Sequence, residues 1–148
     1  MGIFENTDEY YMGEALREAR AAAAEDEVPI GAVVVSGDRV IARAHNQTEL
    51  LHDVTAHAEM LALTAAEERI GAKYLTDCTL YVTVEPCPMC AGAAGWTQVS
   101  RIVYGVRDPK RGYTLLTGPV LHPRTEVTGG VRADECKQLM RDFFKKKR

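Results

Sequence analysis

Long apolar runs are missing from this 148-residue chain. No stretch approaches the ~20 consecutive apolar residues that a membrane-spanning helix needs, so no membrane partner is expected. The first residues, Met1-Gly-Ile-Phe-Glu-Asn-Thr-Asp8, lack the basic patch, apolar core and small-residue cleavage site of a secretory leader, and a cytoplasmic location is the expectation. Cysteine is sparse: Cys78, Cys87, Cys90 and Cys136 are the whole complement. A chain of this size buries enough surface to fold without disulfide staples. Low-complexity tracts and internal repeats are absent as well, so one domain over 1–148 is expected. Net charge is only −3, too weak to announce a nucleic-acid binder by itself.

The distribution of charge says more than its sum. Residues 1–30 carry Glu5, Asp8, Glu9, Glu14, Glu18, Glu25, Asp26 and Glu27 against Arg17 and Arg20, a balance of −6 that leaves +3 elsewhere. Basic residues gather at Arg107, Lys110 and Arg111, and again at Arg141 and Lys145-Lys-Lys-Arg148. The second group is either a solvated helix end, where the dipole favours cations, or part of a phosphate-contacting rim.

Apolar spacing predicts a helix from about 8 to 24, with Met12, Ala15, Leu16, Ala19, Ala22 and Ala23 on its inner face. Runs at about 30–35 and 40–44 flank Ser36-Gly-Asp-Arg39 and read as a hairpin. A helix from about 55 to 69, capped by Thr55 or Asp53 and stopped by Gly71, comes next. A strand near 79–84 leads through Pro86-Cys-Pro-Met-Cys90 into a helix ending near Trp96, and Arg101-Ile-Val-Tyr-Gly105 is a further strand. Residues 107–124 hold Pro109, Gly112, Gly118, Pro119 and Pro123 and read as loop. A short strand at 125–128 and a helix at about 131–144, with Ala133, Cys136, Leu139, Met140 and Phe143 on one face, close the chain. Strands alternating with helices imply crossovers and parallel neighbours. The expected fold is therefore α/β, a mixed five-stranded sheet between helix layers. Cys78 and Cys136 fall on apolar faces and are expected to be buried, inert thiols.

Two segments carry the chemistry: Thr55-Ala-His57-Ala-Glu59 and Glu85-Pro-Cys87-Pro-Met-Cys90. Each opens a predicted helix. Cysteines three apart on a first turn face the same way, and a helix N-terminus favours thiolate, the metal-binding form. His57, Cys87 and Cys90 make three ligands and leave a fourth tetrahedral position for water, the signature of a catalytic rather than a closed structural zinc site. Glu59 is free of ligand duty and suits proton transfer. A lone Cys-x-x-Cys could instead be a redox dithiol, but such a site has no use for His-Ala-Glu at the head of another helix. His-x-Glu joined to Pro-Cys-x-x-Cys is the pattern of zinc-dependent base deaminases.

At these residues the sequence resembles the tRNA-specific adenosine deaminases of the cytidine-deaminase-like superfamily. The likeness extends through Val28-Pro-Ile-Gly-Ala-Val-Val-Val35, Leu51-His-Asp53, Thr79 to Ala93, Arg101 to Asp108, Ala133-Asp-Glu-Cys136 and Asp142-Phe-Phe144. It implies a cytidine-deaminase-like three-layer α/β/α sandwich. It also implies one Zn2+ per chain, a homodimer, and conversion of adenosine to inosine at the wobble position of a tRNA anticodon loop. By the same resemblance Asn46 contacts the extruded nucleotide, Asp108 lies at its ribose, the backbone at Ala58 and Pro86 borders the base, and Phe143 and Phe144 lie near the RNA. Each has a plainer reading: Asn46 and Asp108 as turn residues, Phe143 as core. Between 107 and 125 the chain departs from the family pattern, reading Gly112-Tyr-Thr-Leu-Leu-Thr-Gly-Pro-Val-Leu-His122, and Trp96 stands where the family often has His. Those departures keep open a deaminase of a free base or nucleoside, and a non-catalytic zinc domain that only binds RNA. His122 is a pocket residue or a solvated loop histidine.

Overall fold

The computed structural model describes residues 7–147; Glu5 of the acidic segment and Arg148 of the basic run lie outside them. Helix α1 (Asp8–Ala24) is capped by Thr7, whose hydroxyl accepts the Tyr10 N–H at 3.2 Å, and carries Asp8 and Glu9 in its first turn, where the dipole favours acids. Strands β1 (Gly31–Ser36) and β2 (Arg39–His45) form the hairpin. Helix α2 (Ala58–Ile70), strand β3 (Cys78–Val84), helix α3 (Pro88–Thr97), strand β4 (Arg101–Val106), strand β5 (Glu126–Thr128) and helix α4 (Ala133–Lys146) follow. A short 3-10 turn, Tyr113–Leu115, interrupts the long loop before β5.

The sheet runs β2-β1-β3-β4-β5. The expected parallel neighbours hold for β3–β4 and β4–β5, whereas β3 lies antiparallel to β1. The β2-to-β3 crossover through α2 therefore steps over β1, and β2, β3 and β4 all point the same way. Their C-terminal ends share one sheet edge, and the loops at 46–57, 85–87 and 107–125 leave from it.

Alternation along the strands sorts the core into two layers. Val33, Val35, Tyr81 and Val103 meet Tyr11, Met12, Ala15 and Leu16 of α1 and Cys136 of α4. Ala32, Val34, Leu80, Val82, Ile102 and Tyr104 meet Ala58, Ala62, Leu63 and Ala66 of α2 and Ala94 of α3. With both faces covered, β1, β3 and β4 are apolar nearly throughout, and the three-layer α/β/α sandwich is complete. Cys78 and Cys136 are buried, as their positions implied. Phe143 is half-buried, and Phe144, edge-on to it with ring centroids 5.2 Å apart, is exposed. Among the described residues no helix is long and apolar enough to cross a membrane.

Two close approaches fix α1 to the hairpin. At Gly31 the α1 backbone comes too near the strand for a side chain: a Cβ there would run into the Ala15 carbonyl and the Ala19 nitrogen. His45, at the end of β2, bonds Glu18 through Nδ1 and Glu25 through Nε2, both at 3.0 Å. Burial works to lower the His45 pKa, but the bonds to Glu18 and Glu25 outweigh it and raise the value above its ordinary 6.5.

Gly31→Ala is expected to destabilise the fold by about 3 kcal/mol through backbone overlap, read as a lower urea midpoint with unchanged slope. A raised folded-state pKa means that protonated His45 stabilises fully below its unfolded value and that this contribution fades as pH rises through the folded one. The stability gap between wild type and His45→Gln should therefore be wider at about pH 6 than at about pH 9. An equal gap at both would mean that the charged bridge is not what holds β2 to α1.

Candidate metal centre

Both chemically important segments begin where a strand from the shared edge hands over to a helix. Helix α2 starts at Ala58, later than the sequence suggested, and its N-cap is His57. Neither Thr55 nor Asp53 caps it. The Asp53 carboxylate is taken within its own turn, accepting the Thr55 N–H at 2.8 Å and the Thr55 hydroxyl at 2.7 Å. The Ala58 N–H instead donates to Asn46 Oδ1 at 2.8 Å across a buried contact. The His57 ring, making no cap bond, is left free to face α3. Cys87 is likewise an N-cap with no side-chain cap bond, and Pro88 sits at the first helical position, where its missing N–H leaves nothing unsatisfied.

His57 Nδ1 lies 3.6 Å from Cys87 Sγ and 3.5 Å from Cys90 Sγ. The three ligand atoms fall within 4.8 Å of one another and form a group that could hold a metal ion. A tetrahedral zinc with Zn–N near 2.0 Å and Zn–S near 2.3 Å requires N···S separations of about 3.6 Å, so these side chains fit that ion as they stand. The hydrogen bond from the Cys90 thiol, with His57 beside it, holds Cys87 down at about 4 against the opposing effect of burial. That same bond, together with burial, pushes Cys90 upward, and the bond to Cys87 raises His57. A lowered Cys87 favours thiolate, the form that binds metal.

Glu59, one turn position past the cap, is 3% exposed and belongs to no ligand set. Burial pushes its carboxyl up to about 7. An acid kept near neutrality beside a metal position can both take and give a proton.

Asn46 and Ala58, suggested as substrate contacts, are joined to each other by the 2.8 Å bond. The Pro86 carbonyl accepts the Tyr113 N–H at 2.9 Å. Asp108 organises a turn: its Oδ1 accepts the Lys110 and Arg111 N–H groups, each at 3.0 Å. All four therefore connect directly to the ligand-bearing segments or their neighbours. Arg107, Lys110 and Arg111 are exposed beside them. His122 closes its own turn, with Nδ1 accepting the Arg124 N–H at 3.1 Å.

Sequence reasoning missed two buried carboxylates. Glu27 is 1% exposed and accepts the Glu49 N–H at 3.1 Å and the Leu50 N–H at 2.8 Å, pinning the loop between β2 and α2. Glu85 does the same for the loop after β4, accepting from Asp108 and Thr114. A signal existed: each acid abuts an apolar strand and has a proline within two residues, Glu27-Val-Pro29 and Glu85-Pro86.

The family described as MafB19-like deaminase matches residues 6–148, so the class is that of the deaminases. A tRNA-specific adenosine deaminase from Agrobacterium fabrum is 44% identical over 144 residues, covering 94% of this chain and 95% of that protein. A solved structure from a study of A-to-I editing by tRNA:A34 deaminases at the wobble position of transfer RNA superposes with a TM-score of 0.83 at 43% identity, covering 88% of this chain and 98% of that one. A guanine deaminase from Nitrosomonas europaea gives a TM-score of 0.81 at 27% identity, covering 93% and 84%. The chain belongs to the tRNA-specific adenosine deaminase family.

Asn46→Ala removes the acceptor of a buried N–H and is expected to cost about 1–3 kcal/mol. Asn46→Asp keeps an acceptor at a helix N-terminus and should lose less. Equal unfolding midpoints for the two variants would show that the Ala58 bond does not anchor α2.

Proposed function

We propose that this protein hydrolyses adenosine to inosine at the wobble position of a tRNA anticodon loop, using one Zn2+ held by His57, Cys87 and Cys90. The observation that carries the reading is the convergence of an imidazole and two thiol sulfurs at tetrahedral spacing beside a buried carboxyl that is not a ligand. Zinc with three protein ligands and one open position supplies a water acidic enough to attack near neutral pH.

Glu59 takes a proton from the attacking water and delivers it to the exocyclic amine. A C6–O bond forms, the C6–N6 bond breaks, and ammonia leaves. Asn46, with Oδ1 committed to Ala58, offers its Nδ2 group to the base, while the Ala58 and Pro86 backbones wall the ring. Asp108 fixes the turn at the ribose. A wobble base is unpaired before it binds, so extruding it costs at most a few kcal/mol. Exposed Arg107, Lys110 and Arg111 supply the cations that phosphates require, with Phe144 and the basic end of α4 as a further RNA-facing surface.

The free thiols suit a reducing cytoplasm. Trp96, 84% exposed, and Met89, 36% exposed, on α3 favour a homodimer through that helix, since large exposed apolar side chains mark contact surfaces. Deamination of a free base is the second reading, favoured by the fold shared with guanine deaminase and by the net charge of −3.

With zinc-loaded protein, an adenine-containing anticodon stem-loop should yield inosine, and affinity should fall steeply with salt. Ammonia from a free base with the RNA untouched would transfer the function to small-molecule substrates. Glu59→Gln should keep zinc yet lose turnover by roughly 10²–10⁴-fold, which a non-catalytic zinc domain would not register. Cys87→Ala should bind less than one zinc per chain, and full occupancy would break the ligand assignment.

A further inference from the structure

The loop after β4 carries the exposed Arg107, Lys110 and Arg111, yet its 3-10 turn adds no buried side chain to the core. Leu115 and Leu116 are 55% and 47% exposed. A large part of the loop's anchoring comes from one carboxylate. The Glu85 side chain is 0% exposed. Its Oε1 accepts the Asp108 N–H at 3.0 Å; its Oε2 accepts the Thr114 N–H at 3.0 Å and the Thr114 hydroxyl at 2.7 Å. Two main-chain bonds flank the clamp, Glu85 N–H to the Val106 carbonyl at 2.8 Å and Tyr113 N–H to the Pro86 carbonyl at 2.9 Å.

Gly112 supplies independent support. It is buried, and a Cβ there would land on the Glu85 carboxyl group, so the loop wraps the acid with no room to spare. Arg107 contributes little, since its Nε stands 3.9 Å from Glu85 Oε1 and its side chain is 70% exposed. Three hydrogen bonds converge on this one carboxyl group, two residues before Cys87.

We infer that Glu85 is the positioning residue for the nucleic-acid rim: it ties Asp108, Arg107, Lys110 and Arg111 to the metal-bearing segment, so that backbone phosphates are gripped in register with the reacting base. This rests on the RNA reading above. Glu85 touches neither substrate nor metal in this assignment; it acts through the loop.

Glu85→Gln in the full-length zinc-loaded protein is the test. An amide presents one oxygen where the carboxylate presents two, so one of the main-chain N–H groups loses its acceptor. The expected result is one zinc per chain retained, kcat nearly unchanged, and KM for an anticodon stem-loop raised roughly tenfold. Backbone amide exchange should quicken across 107–116 and stay unchanged at 57–60 and 87–91. Gly112→Ala, which keeps the carboxylate but crowds it, should give the same pattern. Thr114→Val, which removes only the hydroxyl bond, should give a smaller version of it. These two variants decide the matter if Glu85→Gln does not fold. Unchanged exchange and KM would overturn the inference, as would zinc loss with a fall in kcat and no change in KM. Should the wild type act on a free base and leave RNA untouched, the substrate reading fails, and the inference about an RNA rim falls with it. Loop exchange in Glu85→Gln would then still report whether the carboxylate fixes the loop, so the two failures can be told apart.

Discussion

Keeping an imidazole and two sulfurs within 4.8 Å of one another demands that two helix starts, carried by separate strands, stay in register without a covalent link. Most of the buried polar groups serve that constraint. Among the described residues, the buried polar or charged ones are Glu27, Asn46, Glu59, Thr83, Glu85 and Thr97. Glu27 and Glu85 hold the two flanking loops, Asn46 holds the first N–H of α2, and Glu59 lies in the centre itself. Thr83 accepts the Gly31 N–H at 3.2 Å and so joins β1 to β3 beneath the site. No buried side-chain nitrogen or oxygen among the described residues lacks a partner.

Much of this was legible from residue order. Period-two and period-3.6 patterns located the helices and strands, because amphipathic burial dictates both. The grouping of His57, Cys87 and Cys90 was legible because the residue types and spacing that could hold a metal ion are so restricted. The antiparallel pairing of β1 with β3 was not, since a crossover helix says only that the next strand runs parallel to the last, not which strand lies between. The start of α2 was misplaced for a local reason: Asp53 and Thr55 have the right side chains for a cap but satisfy each other. Glu85 escaped notice because its partners lie more than twenty residues away and two of the three are main-chain N–H groups, which leave no trace in residue identity.

Net charge says little about any one surface, for a structural reason. The acidic excess of the first thirty residues is largely engaged within the fold. Asp8 pairs with Arg101 at 2.6 Å, Glu14 with Arg43 at 2.8 Å, and Glu18 and Glu25 with His45. Asp26 pairs with Lys147 of the basic tail. The cations beside the metal position, by contrast, have few partners of their own. The field met by an approaching polyanion is set by where charge remains uncommitted, which a sum over the chain does not report.

The manner in which Glu85 grips its loop separates shape from content. It binds the N–H groups of residues 108 and 114, which every amino acid except proline provides, and demands a specific side chain only at Gly112 and, through the hydroxyl, Thr114. Positions 109–111, 113 and 115–116 are therefore open to rewriting while the backbone path persists. A scaffold built this way can exchange one specificity surface for another over evolutionary time, or on a designer's bench, without disturbing the reaction centre a few residues away.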